Sequence, residues 1–280
     1  AALVHQHNNG FNTLSAQLGY QCINRGRFIA KLQSGHAAVA LSTQVVVMLL
    51  AEVSPRWRAW GWSRIVLGSR SLRGAAGLRF AKVMGSGFEG GFGLRPSMSR
   101  QGVFALFDTE AAADDFIHHS AVVSTYRTRC GEFCVAKLRA WSCRGTWDGV
   151  ALGTSGGPQA LSPDGPDGPD CSDGPVAALT RASIRLPKAW FFWRMAPAAQ
   201  ASLALAPGCR LAAGLGEAPL LRQATFSVWD SVQAMDAYAR SGAHLRAIQA
   251  AQRHGYFSES MFVRFTPLSL QGTWQGVRHG

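Results

Sequence analysis

The sequence lacks a hydrophobic segment long enough to cross a membrane. A spanning helix needs about 20 consecutive apolar residues, whereas the best run in this chain, Val45 to Ala51, has the length of a single strand. Hydrophobic residues nevertheless make up 47% of the 280 positions, which is enough to bury a substantial core. The composition therefore argues against an integral helical membrane protein and predicts a folded protein of the cytoplasm.

The familiar catalytic and metal-binding motifs are also absent. The six cysteines have none of the paired spacings of zinc sites. The chain contains no Ser-His-Asp order, HExxH helix, Walker loop or dinucleotide-binding fingerprint. Cys130 and Cys134 leave two interpretations open: a thiolate ligand to iron, or two buried and inert thiols. Hydrolases, nucleotide-binding enzymes and zinc proteins of the common kinds are therefore not indicated.

Acidic residues are scarce, with 16 Asp and Glu against 28 Lys and Arg, a net charge of +12. Such a balance favours an anionic partner, and we expect an acidic redox protein and peripheral contact with the inner membrane, but no nucleic acid. The segment from Val53 to Lys82 holds seven basic residues and three Trp, but no acid. Its helix either packs the Trp face on a sheet or sits in a membrane interface, and both interpretations stay open.

One pattern occurs twice along the chain. The run from Arg144 to Gly149 reappears as Gln271 to Gly276, with Gly-Thr-Trp in both copies. A strand pattern, a helix pattern and a second strand pattern precede each copy, and the long interval between them fits a duplicated domain. Each half reads β-α-β-β-α-β, the ferredoxin-like order. We therefore predict an α+β fold in which two tandem ferredoxin-like (βαββαβ) units pack sheet to sheet as an α+β barrel.

Composition divides the chain into four parts. Residues 1–41 are polar and irregular, and we expect a disordered or non-native leader there. Residues 42–150 form the first ferredoxin-like half and residues 176–277 the second. Between them, residues 151–175 are dominated by Gly, Pro, Ser and Asp, a composition that cannot bury a core and predicts a linker.

Two features of the sequence are candidates for binding a ligand. His244 lies among small residues on the long helix predicted over Ser231 to His254, where a flat macrocycle could approach. Histidine is the usual neutral nitrogen ligand of haem iron, although a lone helical His is more often an ordinary surface or core residue. The run containing Gly85 and Gly87 predicts a backbone that passes close to a ligand, or simply a long connection.

Several separated segments are similar to a known family. In order and spacing they resemble the spheroidene monooxygenase family, the acyclic carotenoid 2-ketolases, over about residues 42 to 276. The resemblance lies in five runs of the sequence, which are Arg79 to Gly87, Ser142 to Trp147, Ala178 to Ala182, Gly214 to Pro219, and Gln223 to Trp229.

The resemblance implies an oxygen-dependent monooxygenase that contains haem b and takes electrons from a reduced ferredoxin-type donor. Its substrate would be a membrane-dissolved acyclic carotenoid, given a keto group at C-2 by successive hydroxylation, as from spheroidene to spheroidenone. The family's likeness to dimeric α+β barrel haem proteins implies that His244 is the axial ligand of the haem iron, within a haem-binding second half. Gly85 and Gly87 are cofactor contacts in this interpretation, and Arg222 is the polar group that assists bound O2.

Two alternatives remain open from the sequence. One is a different haem enzyme of the same barrel class, with dehydratase or peroxidase-like chemistry on a small ligand. The other is a barrel without enzymatic activity that binds an apolar ligand.

Overall fold

The computed structural model describes residues 43–91, 95–155, 174–218 and 221–280. The predicted leader and most of the predicted linker lie outside the described residues. The elements of the first half are β1 (Val45–Val53), α1 (Arg58–Leu67), β2 (Leu78–Gly87), β3 (Pro96–Phe107), α2 (Glu110–His119), α3 (Ala121–Arg129) and β4 (Cys130–Gly145). Those of the second half are β5 (Val176–Ile184), α4 (Ala189–Ala204), β6 (Cys209–Ala218), β7 (Arg222–Trp229), α5 (Val232–Ala239), α6 (Gly242–His254), β8 (Phe257–Trp274) and β9 (Val277–His279).

The strands form one antiparallel sheet that closes on itself. Their order is β4-β1-β3-β2-β6-β7-β5-β8-β9, and the additional pairing of β4 with β8 completes a barrel of eight strands within the described part of the chain. Each half contributes four neighbouring strands. The predicted α+β fold of two ferredoxin-like units is thereby confirmed, and the units are also joined through hydrogen bonds at both sheet edges.

The two seams between the halves differ in length. The β4–β8 seam runs from the pair Cys134 and Gly272 to the pair Gly145 and Met261. The β2–β6 seam has only two paired positions, Gly85 with Gly216 and Ser86 with Leu215. The hydrogen bonds of the long seam therefore carry most of the connection between the units.

The interior of the barrel is a single apolar core built by both halves. Since side chains alternate along a strand, every second residue points inward. The inward residues include Leu50 and Phe104 from the first half and Leu179 and Phe226 from the second, all of them buried. Burying a side chain of this size contributes about 1.5–3 kcal/mol. The helices lie outside the barrel, against the opposite face of each four-stranded unit.

The repeated Gly-Thr-Trp motif closes the barrel at the long seam. Gly145 and Gly272 have φ angles of 80° and 112°, and a Cβ atom at either position would collide with a backbone carbonyl of the opposite half. Trp147 and Trp274 enter the core, where their indole N–H groups donate to Glu217 (2.7 Å) and to the Ala212 carbonyl (3.2 Å). The motif is therefore architectural.

The long helix predicted in the second half is divided in two. Between α5 and α6, Ser241 adopts an extended conformation and Gly242 has a φ of 57°. Residues with such backbone angles cannot continue a helix, so α6 begins in a new direction. No helix among the described residues is long and apolar enough to span a membrane.

Three Trp residues lie in or directly before helix α1, and two of them pack against the rest of the protein. Trp60 contacts the buried ring of Tyr126, with centroids 5.0 Å apart, and the guanidinium of Arg129 lies over both Trp57 and Trp60. Trp62 is exposed. The packing interpretation of this basic helix therefore accounts for Trp57 and Trp60, while its membrane interpretation stays a prediction that concerns Trp62.

Candidate functional site

The helix-facing side of the second half's sheet is lined by small side chains. In the first half, the central row across this face consists of large aliphatic residues, Val83, Val103, Leu49 and Val135. In the second half, the equivalent row across β6, β7, β5 and β8 is Gly214, Thr225, Thr180 and Phe262. The next row is equally small on three strands, with Ala212, Ser227 and Ala178. We call these six small residues, Ala178, Thr180, Ala212, Gly214, Thr225 and Ser227, the small-residue floor.

The exposure of Thr180 shows that this floor is open. Thr180 is the fifth residue of β5, which lies between β7 and β8, yet its side chain is exposed. Leu49, the fifth residue of β1, occupies the equivalent position under the helices of the first half and is 1% exposed. The floor is therefore accessible at Thr180, whereas Ala178, Gly214 and Ser227 of the same floor are buried.

His244 lies in the helical layer that covers the same face. It stands in the first turn of α6, which packs against α4 and α5. Its ring stacks on Tyr238, with centroids 4.6 Å apart, and Tyr238 in turn contacts Trp229 and donates to the Ala199 carbonyl of α4 at 3.2 Å. Burial lowers the pKa of His244, which keeps the imidazole neutral at pH 7 and able to bind a metal.

The other predicted site residues lie elsewhere. Gly85 pairs with Gly216 at the β2–β6 seam, where Ile65 of α1 covers it, and Gly87 pairs with Pro96. Arg222 begins β7 on the inward face, with its guanidinium 3.7 Å from Glu217. The structure therefore does not bring Arg222 to the face that His244 covers, and the roles of Arg222, Gly85 and Gly87 stay predictions.

The two candidate thiols behave as inert core groups. Burial raises the pKa of Cys130 and of Cys134 to about 12, so both are protonated at neutral pH and neither is a ready thiolate ligand. Within the described ranges, no three His, Cys, Asp or Glu residues cluster as a metal site.

Sequence reasoning missed a charged cluster inside the barrel. Arg181 is only 1% exposed and pairs with Glu259, with Asp148 at 3.4 Å and with Glu217 at 3.6 Å. Lys82 joins Asp148 and Glu217 from β2. One signal was available: Arg181 is the sixth residue of β5, where β1 has Leu50.

Glu259 is held ionised by this cluster. Burial alone would raise its pKa, but hydrogen bonds from the Gly149 amide, the Thr146 hydroxyl and the Arg181 guanidinium outweigh that effect. Together they lower the pKa of Glu259 to about 2. The cluster therefore binds the first Gly-Thr-Trp turn to strands β5 and β8.

These features define the protein as an α+β barrel of two ferredoxin-like halves, one of which has a floor of small side chains on its helix-facing side. Two solved structures of aldoxime dehydratase share this fold. One, in complex with butyraldoxime, has a TM-score of 0.52 at 11% identity and covers 82% of this chain and 81% of its own. The other has a TM-score of 0.51 at 13% identity, with 81% and 82% covered.

Sequence comparison identifies the family. No protein-family model matches the chain. It is 57% identical to spheroidene monooxygenase of Rubrivivax gelatinosus over 84% of its length and 87% of that relative. It is 36% identical to spheroidene monooxygenase of Rhodobacter capsulatus over 78% of its length and 87% of that relative. The chain belongs to the spheroidene monooxygenase family and is an oxidoreductase.

Proposed function

We propose that the protein is a haem-dependent monooxygenase that introduces a keto group at C-2 of acyclic carotenoids. The names of its relatives support the carotenoid as substrate class. Two successive hydroxylations of one carbon yield a gem-diol, which loses water to give the ketone. The observation that carries the proposal is the exposed Thr180 on a floor of small side chains, on the face that the helix of His244 covers.

The residues present fit a haem. A flat macrocycle needs a surface without large projecting side chains, and the row of Gly214, Thr225 and exposed Thr180 has none. A neutral imidazole is the usual protein ligand of such iron, and His244 is neutral because it is partly buried. When bound, haem would supply the activation of O2. The protein holds the ligand, orients the substrate and excludes water.

Tyr238 orients the imidazole that would hold the haem iron. Its ring lies against His244 at an interplanar angle of 29°, and its hydroxyl is fixed by the Ala199 carbonyl. The stack limits rotation of the imidazole, which is how groups around a ligand tune a metal site. Arg222 would have to leave Glu217 to serve as the polar group of the site, and Gly85 would have to contact the haem from its position beside Gly216 at the β2–β6 seam.

The remaining partners follow from charge and solubility. Acyclic carotenoids are apolar and dissolve in membranes, so the substrate would enter from a bilayer. Each hydroxylation consumes two electrons from outside the protein, for which we propose a reduced ferredoxin-type donor. The net charge of +12 favours association with such an acidic protein.

His244→Ala tests the proposal directly. We expect the purified wild-type protein, expressed with ample haem, to show a Soret absorbance band and the variant to lose it. Expressed in a host that makes spheroidene or lycopene, the wild-type chain should produce ketocarotenoids and the variant none. The matched control is His254→Ala, which removes an exposed His from the other end of the same helix and should keep both signals.

Each other outcome assigns a different function. A wild-type protein without a Soret band would overturn the haem and leave the barrel that binds an apolar ligand. A Soret band with an unchanged carotenoid profile would point to dehydratase or peroxidase-like chemistry. Equal Soret bands in His244→Ala and His254→Ala would remove His244 from the site.

A further inference from the structure

The start of α4 exposes three large apolar side chains at one tip of the second half. Leu186 is 73% exposed, Trp190 69% and Phe191 50%. Leu186 lies in the 3-10 turn Leu186–Lys188 that leads directly into α4, and Trp190 and Phe191 lie in the first turn of α4. Large apolar groups that gather on a surface usually mark a contact. We call these three residues the apolar tip.

The duplicated first half shows that the barrel does not require this tip. When Pro55 is aligned with Pro187, the helix starts match in exposure, with buried Gly61 opposite buried Trp193. At the exposed positions that correspond to Trp190 and Phe191, the first half has Arg58 and Ala59. A charged and a small residue therefore occupy this location in the first half. The two aromatic rings satisfy a need other than packing.

The tip is held rigidly by the neighbouring strand. The Arg185 amide donates to the Tyr256 carbonyl at 2.8 Å, and its guanidinium donates to the Phe257 carbonyl at 3.1 Å. Phe192, behind the exposed rings, packs edge-on against Phe257. Leu186, Trp190 and Phe191 therefore project from a fixed base.

The segment that carries the tip has only positive charges. No Asp or Glu occurs between residues 174 and 216, while Arg185, Lys188 and Arg194 surround the exposed rings in sequence. Helix α6, which packs on α4, carries Arg246 and Arg253 and also lacks acids. Exposed Trp, Phe and Leu beside Lys and Arg are the combination that suits the interface of a bilayer whose surface is anionic.

We propose that the apolar tip docks the protein on an anionic lipid surface. Leu186, Trp190 and Phe191 insert at the boundary of headgroups and acyl chains, and Lys188 and Arg194 meet lipid phosphates. This docking goes beyond the proposed function, since it needs neither haem nor carotenoid, and it brings the second half to the phase in which the proposed substrate dissolves.

The test is sedimentation of the whole chain with vesicles. Wild-type protein should bind vesicles of phosphatidylcholine with phosphatidylglycerol, and bind vesicles of phosphatidylcholine alone more weakly. The variant Trp190→Arg with Phe191→Ala copies the first half's pair and adds positive charge. We expect its partition onto the anionic vesicles to fall about tenfold or more in spite of that charge, which assigns binding to insertion of the rings.

A second variant, Trp62→Ser with Val66→Ser, removes exposed apolar groups from α1 and serves as the matched control. It should bind as the wild type does. Undiminished binding by Trp190→Arg/Phe191→Ala, or loss in the α1 variant alone, would overturn the proposal. A wild-type dimer that dissociates only in the Trp190→Arg/Phe191→Ala variant would also overturn the proposal, because the tip would then join two copies of the chain. The Soret band, read on the same samples, separates this result from the proposed function.

Discussion

At the scale of single residues, Arg181 depends on its partners. Moving a cation into a protein interior costs several kcal/mol unless opposite charges and hydrogen bonds compensate it. Glu259, Glu217 and Asp148 provide that compensation. Leu50, the equivalent residue of the first half, needs no partner. The charged cluster is therefore a property of the second half and of the turn that it binds, and not of the barrel as such.

Glu259→Gln should change the response of the protein to acid. Because the pKa of Glu259 is about 2 in the folded protein and about 4.3 in an unfolded chain, its carboxylate stabilises the fold above about pH 4.3. That contribution disappears as pH falls toward 2. We expect the variant to lose about 1–2 kcal/mol at neutral pH, because solvent screens part of the interactions of this carboxylate, and to show a shallower decline of unfolding free energy in this acid range.

Urea unfolding at a series of pH values measures both effects. Glutamine keeps the size and one acceptor of the side chain, so a change of slope reports the charge. A variant whose unfolding free energy declined with acid as steeply as that of the wild type would show that Glu259 does not hold the lowered pKa.

At the scale of elements, the sequence predicted the strands better than the site. Alternating apolar residues and the repeated Gly-Thr-Trp located the halves and the barrel, because periodicity reports which face is buried. The same alternation does not show whether helices cover the outer face of a strand. Thr180 was therefore interpreted as an ordinary strand residue. The break at Ser241 was missed because helix-forming residues on both sides outweighed the turn signal of the Ser241-Gly242 pair, and the charged cluster joins residues far apart in sequence.

Thr180→Leu should fill the open space beside Thr180 on the small-residue floor. The change gives β5 a leucine at the position where β1 has Leu49. A bulky group pressed against a bound ligand costs about 1–3 kcal/mol, so we expect haem content to fall about tenfold or more. Thermal unfolding should occur at the same or a higher temperature, because the added side chain enters open space.

Thr266→Leu is the matched control for this change. Thr266 is also an exposed Thr on a strand, but it pairs with Arg139 at the β4–β8 seam. Its Soret absorbance should equal that of the wild type. Retention of haem by Thr180→Leu, in a protein that unfolds no earlier, would show that the ligand does not use this floor.

At the scale of the whole molecule, the two halves share a core but differ in their outer faces. The first half covers its outer face with large residues such as Leu49 and Phe107, whereas the second has small ones there and exposes Thr180. Each half, taken alone, would expose its inward residues to water.

Separation of the halves tests this division. Residues 42–155 and 174–280, produced together as two chains, should assemble, since both seams and the common core remain available. Each produced alone should aggregate or pair with itself, because Leu50 and Phe104, or Leu179 and Phe226, would lie exposed. Affinity purification through a tag on one half, followed by size-exclusion chromatography, measures the assembly.

The seam can be weakened selectively in the same assay. Gly272→Ala places a Cβ against the Phe133 backbone across the β4–β8 seam, whereas Gly276, whose φ is also positive at 77°, has open space around it. Both changes strain the turn, but only the first blocks the approach of the other half, so Gly272→Ala should reduce assembly far more than Gly276→Ala. Equal assembly of the two variants, or a stable monomer of either half alone, would contradict a barrel that depends on its long seam.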